Sequence, residues 1–167
     1  IVLGKRVGWR KEAMRPHSLP LVLLGSGLLW FGWFGFNAGS ALAANGLAGL
    51  AFMNTQVATA GAVCGWLLVE KIRNGHATSL GAASGAVAGL VAITPGCAFV
   101  APWAAVVIGL LAGALCALAV GLKYRFGLDD SLDVVGVHLV GGIWGSLAIG
   151  LFGTHVVNSI GLSLIHI

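Results

Sequence analysis

Long apolar stretches alternate along this chain with three short windows that hold every charged residue. The window at 4–18 contains Lys5, Arg6, Arg10, Lys11, Glu12 and Arg15; that at 70–75 contains Glu70, Lys71 and Arg73. The third, at 123–133, contains Lys123, Arg125, Asp129, Asp130 and Asp133. A helix crosses the hydrocarbon core of a bilayer in about 20 residues. The apolar stretches 20–44, 47–69, 104–122 and 134–152 meet that length. The stretch 80–93 has only 14 residues, but Ser79 and Thr94 can extend it. Pro95 ends it, because proline disfavours helical geometry in the residue before it. The pattern predicts an all-α bundle of five transmembrane helices, with residues 1–3 as the tail of a preceding span.

The charged windows fall on every second connection, and the loops at 40–46 and 94–102 carry no charge. All nine Lys and Arg therefore sit on one side. Basic loops mark the cytoplasmic face, so the spans run outward, inward, outward, inward and outward. Composition agrees. Charged residues make up 8% of the chain, against about 25% in soluble domains, and the mean hydropathy is +0.98. With 58% hydrophobic residues in 167, too little polar sequence exists to cover a water-soluble core. The protein reads as a multi-pass protein of the cell membrane. The net charge of +4 does not indicate nucleic acid, because the basic residues cluster at span ends where they meet anionic headgroups.

Small residues recur at four-residue spacing in Gly81/Gly85/Gly89, Gly109/Gly113, Gly141/Gly145 and Gly35/Gly39, a pattern that lets helix backbones approach closely. Cys64, Cys97 and Cys116 have no metal-ligand spacing and read as small buried hydrophobes. No metal site, cofactor motif or catalytic constellation is present in the sequence, and enzymatic chemistry is not expected.

Two places could carry chemistry. The run GWFGFNAGS at 32–40 packs Trp33, Phe34 and Phe36 together, with Asn37 and Ser40 towards the outer end of the first span. On one helix, Phe36 and Ser40 share a face, about 6 Å apart. A ring beside a hydroxyl suits a small cation; an aromatic interface belt is the structural alternative. His138 is the second place: the sole histidine inside a span, and the sole ionisable side chain clear of span ends. Intramembrane ionisable residues tend to mark ion or proton routes, although an imidazole bonded to a neighbouring helix would also satisfy the sequence. Asp129 and Asp130 are placed to cap the last span, and Asp133 to brace nearby backbone. Asn54, Thr55, Gln56 and Thr59 read as interhelical hydrogen-bond partners.

Four segments, GWFGFNAGSA, AFMNTQVATA, GAASGAVAGLVAITPGCAFV and DVVGVHLVGGIWG, together resemble the ammonium transporter (Amt/MEP/Rhesus) family, in its ammonium-transporter branch. The likeness runs over residues 1–153. It implies an eleven-helix fold of two inverted halves, of which these spans would be the sixth to tenth. It also implies transport of ammonium or ammonia, with an ammonium sensor or a Rhesus-type gas channel as the alternatives on the same scaffold. By resemblance, Phe36 matches one of two stacked phenylalanines over the outer pore mouth and Ser40 the hydroxyl of the external ammonium site. Trp33 matches a pore-proximal position, and His138 the second of two pore histidines. The expected partners are ammonium, the lipid bilayer, further copies in a homotrimer and a PII-type signalling protein at the cytoplasmic face. The first half's pore residues have no counterpart, so the chain reads as an internal piece of a longer protein. Residues 154–167 do not share the resemblance.

Overall fold

The structure is a computed structural model, described for residues 4–12 and 14–159. It comprises α1 (Leu19–Asn37), a 3-10 turn (Gly39–Ala41), α2 (Gly46–Asn74), α3 (Ser79–Ile93), α4 (Pro102–Ala119), α5 (Leu122–Phe126), a π-helical turn (Val135–Leu139) and α6 (Val140–Phe152). Four helical stretches are long and apolar enough to cross a membrane, and α3 is a shorter apolar helix between them. Four of the five expected spans are therefore long enough to cross, and the fifth, expected over 80–93, is the shorter helix α3. Residues 1–3, read as the tail of an earlier span, and residues 160–167 of the C-terminal tail lie outside the described part.

Each start has a local cause. Ser18 accepts the Leu21 N–H with Pro20 in the first turn of α1, Asn45 accepts the Ala48 N–H at α2, and Thr78 accepts the Gly81 N–H at α3. These caps satisfy amides that a helix leaves unpaired. Two boundaries differ from expectation. α1 stops at Asn37, leaving Ser40 in the 3-10 turn, and the last span opens with a π-helical turn instead of regular helix.

α2, α3 and α4 pack against one another as a central trio. α1 lies on α3 and α2, α6 lies on α3 and α4, and α1 and α6 do not touch among the described residues. Helices thus surround α3 on all but one side, leaving a trough walled by α1 and α6. Small residues hold the trio together. A methyl group added at Gly109 or Gly113 of α4 would run into the carbonyls of Ala58 or Ala62 on α2, and one at Gly145 into that of Ala92 on α3. Gly35 and Gly39, expected to behave likewise, face open space. Cys97 and Cys116 are buried as expected, but Cys64 is exposed, because it lies on the side of α2 turned away from the trio.

Buried polar groups bind the outer loop to the core. Asn54, fully buried, donates to the carbonyls of Cys97 and Val100, both at 2.8 Å. Thr55 and Thr59 instead bond the carbonyls of their own helix, at Ala51 and Thr55. Thr55 also accepts from Asn37 of α1 at 3.0 Å. At the end that carries the charged loops, Glu70 accepts the Thr78 N–H at 2.8 Å and joins the end of α2 to the start of α3. Asp130 caps the last span as expected, accepting the N–H groups of Val134 and Val135 at 2.9 and 2.8 Å. Asp129 does not. It accepts from the Arg6 backbone N–H at 2.7 Å and from Arg6 Nε at 3.0 Å, and Arg10 donates to the Tyr124 carbonyl. The first charged loop is thereby fastened to the last. The Arg6 amide, followed by its guanidinium, holds the Asp129 carboxyl below its ordinary value of 3.8.

Candidate functional site

One face of α1 carries its polar anchors. Ser26 Oγ donates to the Ala83 carbonyl at 3.5 Å and Trp33 Nε1 to Thr94 Oγ1 at 2.8 Å. Thr94 in turn donates to the Leu90 carbonyl at 2.7 Å. Asn37 is the buried residue of α1 and is held by Thr55. These bonds fix the upper half of α1 against the trio while its other faces remain uncovered.

At that end, Phe36 is 62% exposed. Its ring meets Trp33 edge to face, with centroids 5.5 Å apart and planes at 61°. Phe34 points elsewhere and stacks on Phe52 of α2 at 4.0 Å. Ser40 Oγ donates to the Phe36 carbonyl at 2.5 Å. That bond uses the hydroxyl proton, so the oxygen's two lone pairs leave it available only as an acceptor. The two residues therefore come together as the spacing predicted, although Ser40 sits just beyond the helix. Phe36, Asn37 and Ser40 line one side of a cleft of about 370 Å³, and Ala51, Thr94 and Cys97 line the other. No charged residue lines it. Trp33 stands behind this cleft as the support of Phe36.

His138 is not part of the cleft. It projects from the π-helical turn with its side chain exposed, while Gly136 and Val137 of the same turn are buried against α4. The Cα of Val120 on α4 leaves no room for a methyl group at Gly136, so this face of the turn is pressed onto its neighbour. The Val140 N–H bonds the Val135 carbonyl across the turn, the wide closure of a π bulge; such bulges are frequent at functional sites. An exposed imidazole on a span with no other ionisable side chain is poorly compatible with lipid.

Sequence reasoning missed Thr94 and Lys123. Thr94 was visible only as a polar residue at the end of an apolar span, beside Pro95. Lys123 read as one of nine interfacial cations, yet it donates to Asp133 Oδ1 at 2.5 Å and to the Asp130 carbonyl at 3.2 Å. Asp133 was expected to brace backbone and instead forms this ion pair.

Spans joined by alternately charged and uncharged loops, packed by small residues, with a lone imidazole and an aromatic–hydroxyl cleft, define a polytopic helical membrane protein of the transporter type. The family model "Ammonium Transporter Family" matches residues 1–165, and the chain belongs to that family. An ammonium transporter of Mycobacterium tuberculosis is 65% identical over 151 residues, covering 90% of this chain and 32% of that protein. One from Bacillus subtilis is 54% identical over 162 residues, covering 96% and 40%. Among solved structures, Saccharomyces cerevisiae Mep2 superposes with a TM-score of 0.82 at 46% identity, over 86% of this chain and 33% of that one. A sensor Amt protein superposes with the same TM-score, 0.82, at 37% identity, over 90% of this chain and 38% of that one. The chain thus spans roughly a third of the length of these relatives.

Proposed function

We propose that the whole protein conducts ammonium or ammonia across the membrane, taking ammonium at the cleft of Phe36 and Ser40, removing its proton, and passing the neutral molecule beside His138. The observation that carries this reading is the exposed imidazole on an apolar membrane-crossing turn. A polar ring has no reason to face hydrocarbon. It has one if the remainder of a protein the length of its relatives closes over the trough between α1 and α6.

Physical chemistry favours the order of events. A cation at the bilayer centre costs several kcal/mol, roughly +2.5 to +3.5 even on lenient scales, whereas ammonia has no charge to desolvate. An entirely apolar path would strand the hydrogen-bonding groups of the molecule. An imidazole offers a donor and an acceptor without a fixed charge, and can hold a proton in transit. At the entrance, Ser40 presents an acceptor to an N–H donor, because its own proton is committed to Phe36, and the face of Phe36 attracts positive charge. Trp33 positions Phe36 and makes no direct contact with the substrate in this scheme.

The test is ammonium-driven current in liposomes holding the full-length protein. His138→Ala is expected to reduce current per folded protein about tenfold or more, as loss of a positioned proton-handling group does. Current equal to wild type would remove His138 from the mechanism.

A further inference from the structure

Three candidates lie outside the cleft and the imidazole: a small cytoplasmic pocket beside Glu70 and Arg73, the Trp9 ring flanked by Lys5 and Arg10, and the ion pair at the foot of the last span. The pocket's carboxylate is already taken up by Thr78. The two cations at Trp9 are engaged with its ring. The ion pair is different, because it is built into the segment that presents His138.

We infer that Lys123 is a positioning residue for His138: its ammonium group ties both ends of the Asp130–Asp133 turn and so sets the geometry of the π-helical turn. This inference rests on the proposed role of His138. Lys123 sits in α5, at the far end of the span formed by α4 and α5, and its side chain is only 12% exposed. One ammonium group reaches the Asp130 carbonyl and the Asp133 carboxylate together. Between those two contacts the chain must reverse, and Asp133 adopts a left-handed φ of 55°. Asp visits that region more readily than most residues with a Cβ, and here the Lys123 contact holds it there.

Immediately beyond, the Asp133 carbonyl accepts the Val137 N–H at 2.8 Å, one residue before His138. On the other side of the turn, the Asp130 carboxylate holds Val134 and Val135. The backbone that carries the imidazole is therefore clamped from below by the Asp130 carboxylate and the Asp133 carbonyl, and Lys123 holds both residues in place. Gly136 against Val120 clamps it from the side. No other basic residue is paired with Asp133 among the described residues. Removing the Lys123 charge releases the lower clamp while leaving the cleft of Phe36 and Ser40 untouched.

The experiment uses the full-length protein, purified and reconstituted, with currents normalised to folded protein. Lys123→Met keeps length and apolar stem but removes the charge. It is expected to lower maximal current about tenfold, as angstrom-scale misplacement of a working group does, with the half-saturating ammonium concentration changed less than about twofold. Lys123→Arg, which retains the cation, should restore most of the current. A double-mutant cycle separates positioning from general damage. In a His138→Ala background, Lys123→Met is expected to add no further loss; a multiplied loss would overturn the inference. If Lys123→Met alone conducts like wild type, the inference also fails. If His138→Ala itself conducts like wild type, the functional reading fails first, which is a distinct result. Should Lys123→Met not yield monodisperse protein, Asp133→Asn removes the partner charge at nearly constant shape and carries the same predictions.

Discussion

The central trio and its two flanking helices follow different rules. α2, α3 and α4 meet through glycine and alanine, and the polar side chains buried between them bond to one another or to nearby carbonyls. α6 is seated on α3 by the same small-residue packing, at Gly145 against Ala92, whereas α1 is held by polar anchors on one face. Both leave large side chains uncovered, among them Leu28, Phe31, Phe36 and Leu147, as the outer faces of α2 and α4 also do. All four residues singled out for function, Trp33, Phe36, Ser40 and His138, stand on these flanks. A membrane bundle can thus confine tight packing to its centre and hold working groups on surfaces that its remaining half must cover. α3 is the common floor, since it is the helix that contacts both flanks.

Mutations can break the contrast from either side. The largest effect belongs to the trio. Gly109→Leu would force a side chain into the Ala58 carbonyl, and overpacking of a well-filled interior costs about 1–3 kcal/mol. Full-length protein carrying it should lose its monodisperse peak in size-exclusion chromatography. His138→Ala comes next, and it should do the reverse: normal yield with the loss of current described above. Ser40→Ala removes one acceptor of about 1 kcal/mol net, so half-saturation should rise about fivefold while maximal current holds. An unchanged concentration dependence would discard the binding role of Ser40.

The smallest effect concerns the loop fastened by Asp129. Its carboxyl is held below the ordinary value by Arg6, so the ionised form binds Arg6 more tightly in the folded protein. The contribution is complete above the ordinary carboxylate range and is lost as pH falls through the lowered value. The protection of the Arg6 amide against hydrogen exchange, taken relative to the intrinsic rate at each pH, should therefore be high at neutral pH and fall only on strong acidification. Asp129→Asn should exchange faster at neutral pH and lose that acid dependence. Equal exchange in both proteins would show that Arg6 is not held through this charge.

The helical stretches and the loops between them were legible because charge is excluded from hydrocarbon, so fourteen charged residues mark the loops without reference to any contact. The nearness of Ser40 to Phe36 was legible from their four-residue separation, but not the 3-10 turn in which Ser40 bonds the Phe36 backbone carbonyl. What escaped the sequence depends on partners distant along the chain. Asp129 looks like a cap until Arg6, 123 residues away, is brought beside it. The π-turn has no proline or local signature; it arises where Gly136 is pressed against Val120. Gly35 and Gly39 match the packing pattern, yet nothing within this chain packs on them, which spacing alone cannot reveal.

The measurement that bears most directly on the central claim is an experimental structure of the full-length protein in lipid. The account predicts that the His138 imidazole borders an enclosed path, lying between α1 and α6 along α3, that opens outward at Phe36 and Ser40. An imidazole turned to the acyl chains, or sealed from that opening by continuous packing, would contradict it.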